Sequence, residues 1–162
     1  MFQQTVDVHA VVDYIILKLD SGRVPLNLLK LQKLLYYVQA WNLALKNARL
    51  FDGGFEAWVH GPVHRGVYNR FSGTHSLYSE VTPEWAGHPH AVLEALPPDA
   101  RRHIDEVLEA YGDLSGTQLE AMTHAEDPWL YARDNLGWAQ RSEALIDERL
   151  MRDYYLRQLQ SI

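Results

Sequence analysis

A chain of 162 residues with a formal charge of −6, 47% apolar residues and no cysteine has room for one hydrophobic core and not for two ordinary domains. The acidic balance argues against nucleic acid as the main ligand, because phosphate binding depends on clustered Lys and Arg. Without cysteine there is no disulfide framework, thiolate zinc site or cysteine nucleophile, and a reducing cytoplasm is the expected location.

The stretch from Met1 to Asp7 lacks a basic segment ahead of an apolar run, so it does not read as a secretory signal. No apolar run approaches the roughly 20 residues that span a bilayer. With no repeat or linker, 1–162 is taken as one domain.

Val8, Val11, Val12, Ile15 and Leu19 recur at helical spacing from near Thr5, and Ser21-Gly22 supplies a stop. Pro25 suits the first turn of a helix running from Leu26 to about Lys46 without another Pro or Gly. On that helix Gln32, Gln39, Asn42 and Lys46 fall within roughly one quarter of the circumference, and apolar residues occupy much of the rest. Such a helix must be enclosed on several sides, so it is the expected spine of the core.

Asp52-Gly53-Gly54 signals a turn, and the segment from Phe55 alternates like a short strand. Pro62 reads as the start of a helix through Phe71, with Ser76 to Val81 as a second short strand pairing with the first. Further helices are expected from Asp99 to Tyr111, after a capping box at Ser115 and Gln118, from Pro128, and from about Asp147 to Gln160. The fold expected is therefore mainly α: a single-domain compact helical bundle around a central helix near 26–46, with room for one short β-hairpin near 55–60 and 76–81.

His60 and His64 have a zinc-like offset, but Gly61-Pro62 breaks the helical geometry it needs and no acid occupies the expected position. His88-Pro89-His90 lies in a Pro/Gly-rich loop and is no stronger. His124 beside Glu126 and Asp127 has the residue types of an acid–base couple, yet no nucleophile elbow, phosphate-binding loop or dinucleotide fingerprint supplies a third member. Large rings are abundant, among them Trp41, Trp58, Trp129 and Trp138 with several tyrosines. Most belong to a core, and those left partly open suit protein partners.

Four segments together resemble the Panacea domain family, whose SocA-like members are antitoxins. Leu29 to Trp41 resembles its opening helix motif, and Phe55 to Val63 with Tyr68 and Phe71 is similar to its Ala-Trp, aromatic, Gly-Pro-Val block, with His60 where many members carry Tyr. Thr123-His124 with Glu126, Pro128 and Trp129, and the ending from Ile146 to Tyr155, complete the match, while Thr74 to Ala100 is least similar. The resemblance implies a non-enzymatic antitoxin, without metal or cofactor, that binds a cognate toxin encoded by an adjacent gene. In the SocA-like branch it also implies delivery of the toxin to a cytoplasmic protease. A separate repressor domain is not expected ahead of the matched blocks, and homo-oligomers are compatible with this picture. The partner surface is expected near Trp58, His60, Val63, Tyr68, His124 and Trp129, although Trp58 and Trp129 read equally well as core residues that position those loops. The alternative is a small metal-dependent or His/carboxylate hydrolase using His60, His64, His124 and Glu126.

Overall fold

A computed structural model of the chain describes residues 4–137 and 139–161, so Met1 to Gln3 and Trp138 lie outside the described residues. The first helix, α1 (Val8–Ser21), starts where the Asp7 carboxylate accepts the His9 N–H, and it buries Val11, Val12, Ile15, Ile16 and Leu19. The central helix, α2 (Leu28–Lys46), begins two residues later than its pattern suggests. Asn27 is the reason: its side chain accepts the Lys30 N–H at 2.8 Å, a cap geometry that keeps Asn27 itself extended.

Around α2 stand α5 (Pro98–Tyr111), α6 (Gly116–His124) and α8 (Glu148–Gln160), with α1 alongside. Short α4 (Pro89–Glu94), where the Pro/Gly-rich loop was expected, packs on α1. Both halves of the Ser115–Gln118 capping box form at the start of α6, and Asp147 caps α8 by accepting the Arg149 and Leu150 N–H groups. Among the described residues no helix is long and apolar enough to cross a membrane.

The hairpin differs from expectation. β1 (Phe55–Trp58) pairs antiparallel with β2 (Gly61–His64), not with 76–81, and Pro62 lies in a strand rather than opening a helix. Gly61, at φ 100°, makes the reversal that the tight turn requires. Pro62 stands opposite Ala57, whose own N–H turns away to Ala144 O, so the missing proline N–H leaves no ladder bond unmade. Helix α3 (Arg65–Phe71) starts only after β2, where the His64 ring accepts the Val67 N–H. Residues 77–81 instead back the entry to α2: Leu77 O and Ser79 O accept the Leu29 and Leu28 N–H groups, and the Val81 N–H donates to Leu26 O. These are donors that a helix N-terminus cannot satisfy internally.

The polar quarter of α2 is buried except Lys46, as is the rest of the helix apart from half-buried Trp41 and exposed Leu45. Gln32 accepts the His64 N–H at 2.8 Å and donates to His64 O at 3.2 Å. Lys33, wholly enclosed, donates to Pro62 O at 2.9 Å. Gln39 joins the backbone of Leu50 and Phe51 in the same two-way manner, Asn42 donates to Ala48 O, and Lys30 donates to Gly112 O at 2.6 Å. The central helix therefore binds the backbone of the segments around it, and each bond meets a group whose burial without a partner would cost about 1–3 kcal/mol.

Burial pushes the Lys33 ammonium pKa from the ordinary 10.5 down to about 7, against the pull of the Glu120 carboxylate. Between those two values the unfolded chain holds a proton that the folded chain has released, so Lys33 makes stability rise with pH across that window. Lys33→Met keeps much of the volume and removes the charge. Melting followed from about pH 6 to about pH 10 is expected to show the natural protein gaining on the variant, with a limiting slope of about 1.4 kcal/mol per pH unit. Parallel curves would mean that Lys33 stays charged in the fold.

Candidate partner-binding site

Strand alternation divides the hairpin into two faces. Phe55 and Ala57 point into the core, whereas Glu56 and Trp58 point outward. Segment 144–146 adds a third strand to β1: the Ala57 N–H donates to Ala144 O and the Ile146 N–H to Phe55 O, both at 2.8 Å, and Glu56 pairs with Leu145. On the outer face the Arg65 guanidinium lies 4.9 Å from the Trp58 ring and bridges Glu56 at 2.9 Å and Glu143 at 3.0 Å. Tyr68 meets the same indole edge-on at 4.9 Å and is 37% exposed. Trp58 is half-buried, and its indole N–H donates to Glu56. The turn ends in exposed His60, whose Nδ1 lies 2.6 Å from the Glu120 carboxylate.

Three of the residues expected at a partner surface act from elsewhere. Val63 is buried. Trp129, on α7 (Asp127–Arg133), is 3% exposed and donates its indole N–H to Trp58 O at 2.8 Å. His124 is half-buried and stacks on Trp129 at 4.2 Å; its Nε2 is shut from solvent and meets no hydrogen-bond partner among the described residues. Burial lowers the His124 pKa and favours the neutral ring, against the opposing Glu120 carboxylate and a hydrogen bond that the ring donates to the Val59 backbone carbonyl. Beside it, a side chain at Gly61 would bring its Cβ within 2.5 Å of Lys33 Cε and 3.0 Å of Thr123 Oγ1. The Thr-His, Pro-Trp and Gly-Pro residues thus form the underside that fixes the hairpin, while Trp58, Tyr68 and His60 reach its outer surface. Arg133, not singled out in the sequence, completes that support: it rests over the Trp129 ring, donates to Ala57 O at 2.8 Å and also holds the Gly137 and Gln140 carbonyls.

The residues of a possible hydrolase site are not gathered as one set: His60 and His124 both lie near Glu120, whereas His64 and Glu126 are engaged elsewhere. His64 is enclosed at the α3 cap, its Nε2 on Asp52 O and its pKa lowered by burial. Glu126 turns away from His124 into a cluster of tyrosines, where it accepts the Tyr37 hydroxyl at 2.7 Å and the Tyr155 hydroxyl at 2.9 Å. Tyr155 also reaches the Tyr36 hydroxyl, Tyr37 stacks on Tyr111 at 4.2 Å, and Trp41 donates to the Tyr111 oxygen. Burial raises the Glu126 carboxyl above the ordinary range despite these two donors, and burial likewise raises Tyr36, Tyr37 and Tyr155. Among the described residues no three His, Cys, Asp or Glu side chains gather as metal ligands would.

The family described as "Antitoxin SocA-like, Panacea domain" matches residues 31–130, which span α2, the hairpin and α7 up to Leu130. Antitoxin SocA of Caulobacter vibrioides (strain NA1000 / CB15N) is 35% identical over 133 residues, covering 78% of this chain and 70% of that protein. No solved structure matches.

Two substitutions probe this arrangement. Gly61→Ala combines a strained positive φ with the approach to Lys33 and is expected to lower stability by about 1–3 kcal/mol, read by denaturant titration. Because the folded pKa of Glu126 lies above its unfolded value, the stability it contributes falls as pH rises from the ordinary carboxylate range through the folded pKa. Glu126→Gln keeps an acceptor for both hydroxyls, so its melting temperature should gain on the natural protein over that rise. Glu126→Ala strands the Tyr37 hydroxyl and leaves Tyr155 only its Tyr36 partner, and should cost about 1–3 kcal/mol. A Gln variant that loses as much as the Ala variant would show that the negative charge itself is needed.

Proposed function

The chain belongs to the family of SocA-like antitoxins defined by the Panacea domain, and from that membership we propose that it neutralises a cognate toxin by direct protein–protein contact, without catalysing a reaction. The contact face in this reading is the outer side of the hairpin, centred on Trp58, Tyr68 and His60. One observation supports this placement above others: a half-buried Trp and a partly exposed Tyr pack edge-on with Arg65 over the indole, while Trp129, Lys33 and Gln32 hold the strands beneath them. Rings already ordered before binding lose little entropy on contact, which is why Trp and Tyr dominate interface energetics. Val63, His124 and Trp129 serve the same surface from below by setting the shape of the turn.

Delivery of the captured toxin to a protease in the cytoplasm extends this reading, with the chain acting as an adaptor. It requires a second surface that stays free while the toxin is bound. Toxin half-life measured with and without this chain, in cells with and without the protease, tests the extension separately from neutralisation.

Expression of the short reading frame adjacent to this gene is expected to arrest growth, and co-expression of this chain to restore it. Tyr68→Ala should weaken toxin binding about tenfold or more, equivalent to about 1.4 kcal/mol, with the melting temperature unchanged. Soluble natural protein that fails to rescue growth would refute neutralisation. A Tyr68→Ala variant that binds normally would move the interface to another face.

A further inference from the structure

The two-stranded hairpin, extended by the single bridge at Leu145, leaves one edge open. Glu56 and Leu145 form the widely spaced type of antiparallel pair, because the bonds that join their strands belong to the neighbouring residues Phe55, Ala57, Ala144 and Ile146. In such a pair each residue's own N–H and C=O point away from the other. Those of Glu56 face β2, and those of Leu145 face outward, where they meet no partner among the described residues. Leu145 is 68% exposed, the highest value among the large apolar residues described. The opposite edge, along β2, is closed by Gln32 and Lys33, and beyond Ala144 the Ala57 carbonyl is taken by Arg133, so Leu145 is the open position.

We propose that the cognate toxin adds an extended strand to this edge, with its backbone on the Leu145 N–H and C=O and its side chains following a basic-x-apolar-x-basic pattern. The inference rests on the toxin-binding reading above and specifies how the toxin is held. Free backbone donors and acceptors on a sheet edge are complementary to another extended backbone. The side-chain pattern follows from charge. The two neighbours at strand spacing from Leu145 are Glu143 and Asp147, both acidic and exposed. Glu143 shares the single Arg65 with Glu56, so two carboxylates stand against one guanidinium. A strand pairing with Leu145 therefore meets an apolar residue with a carboxylate two positions to either side.

The same arithmetic disfavours a second copy of this chain. Antiparallel pairing of two copies through Leu145 places Glu143 of one opposite Asp147 of the other, twice, and like charges directly opposed across strands are destabilising. The net charge of −6 acts in the same direction and favours a basic partner. This edge continues the outer face of the hairpin, because Glu143 and Trp58 are both in contact with Arg65, so one toxin segment can cover both.

The test uses the purified product of the adjacent toxin gene with the full chain, read by calorimetry and by amide hydrogen exchange. Leu145→Pro removes an N–H that makes no bond among the described residues, together with the leucine side chain and the freedom of φ, whereas Leu145→Val keeps the N–H while also changing the side chain. Expected are slowing of the Leu145 amide by about a hundredfold in the complex, loss of about tenfold or more in affinity for Leu145→Pro at unchanged melting temperature, and near-normal binding for Leu145→Val. Glu143→Lys should weaken binding at low salt more than at high salt. A complex in which the Leu145 amide exchanges as freely as before overturns strand addition and leaves neutralisation standing, and this measurement decides even if Leu145→Pro fails to fold. If the natural protein forms no complex, the toxin-binding reading itself fails. Protection of Leu145 that grows with the concentration of this chain alone would assign the edge to a second copy.

Discussion

The structure depends on one constraint: its central helix is buried all round, including its polar side chains. A helix with Gln32, Lys33, Gln39 and Asn42 enclosed would be destabilising if those groups lacked partners. Instead each side chain meets a backbone group of a neighbouring segment, with the Asn42 Oδ1 the exception left without a hydrogen bond among the described residues. Two carboxamides make two-way bonds, Gln32 with His64 and Gln39 with Leu50 and Phe51, which is what an adjacent strand would otherwise supply. The bonds are directional and specify position more sharply than apolar contact does. They fix the hairpin at a set height along α2, and the outer face inherits that placement.

A second layer of support comes from α7. Trp129 and Arg133 hold the Trp58 and Ala57 carbonyls where the third strand diverges from β1. Beside them His124 stacks on Trp129, and its burial favours the neutral ring. Glu126, one turn away, ties α7 to α2 and α8 through Tyr37 and Tyr155. The residue types that resemble acid–base chemistry are here used to join helices.

Much of the helical frame is legible in the residues. The all-round apolar pattern of α2 requires enclosure on several sides, and the Ser115–Gln118 box marks the start of α6 correctly. The hairpin is not legible in short-range pattern, because Pro62 suits both a first helical turn and a strand position without a ladder bond. Only the tertiary fact that Ala57 bonds to Ala144 decides between them. Segment 76–81 has strand-like alternation but spends its carbonyls on the N-terminus of α2, a non-local use that no short-range pattern encodes. At the candidate site, ring content and Gly/Pro turns single out Trp58 and Tyr68, which pack against each other on the outer face of the hairpin. Arg65 and Leu145 gave no signal, since an Arg at the start of a helix and a lone Leu in a polar stretch are ordinary until the strands bring them together.

The separation between support and surface has a consequence for binding specificity. A change at Gln32, Lys33, Trp129 or Arg133 strands buried carbonyls and costs stability before it can alter recognition. A change at Tyr68, Glu143 or Leu145 removes contacts that the fold does not need, since the first two are exposed side chains and the third has no backbone bond of its own. In the proposed toxin-binding reading, recognition is therefore open to retuning on this scaffold. Under that reading the surface residues select the polypeptide, and the buried polar bonds of α2 hold the edge and rings in one placement.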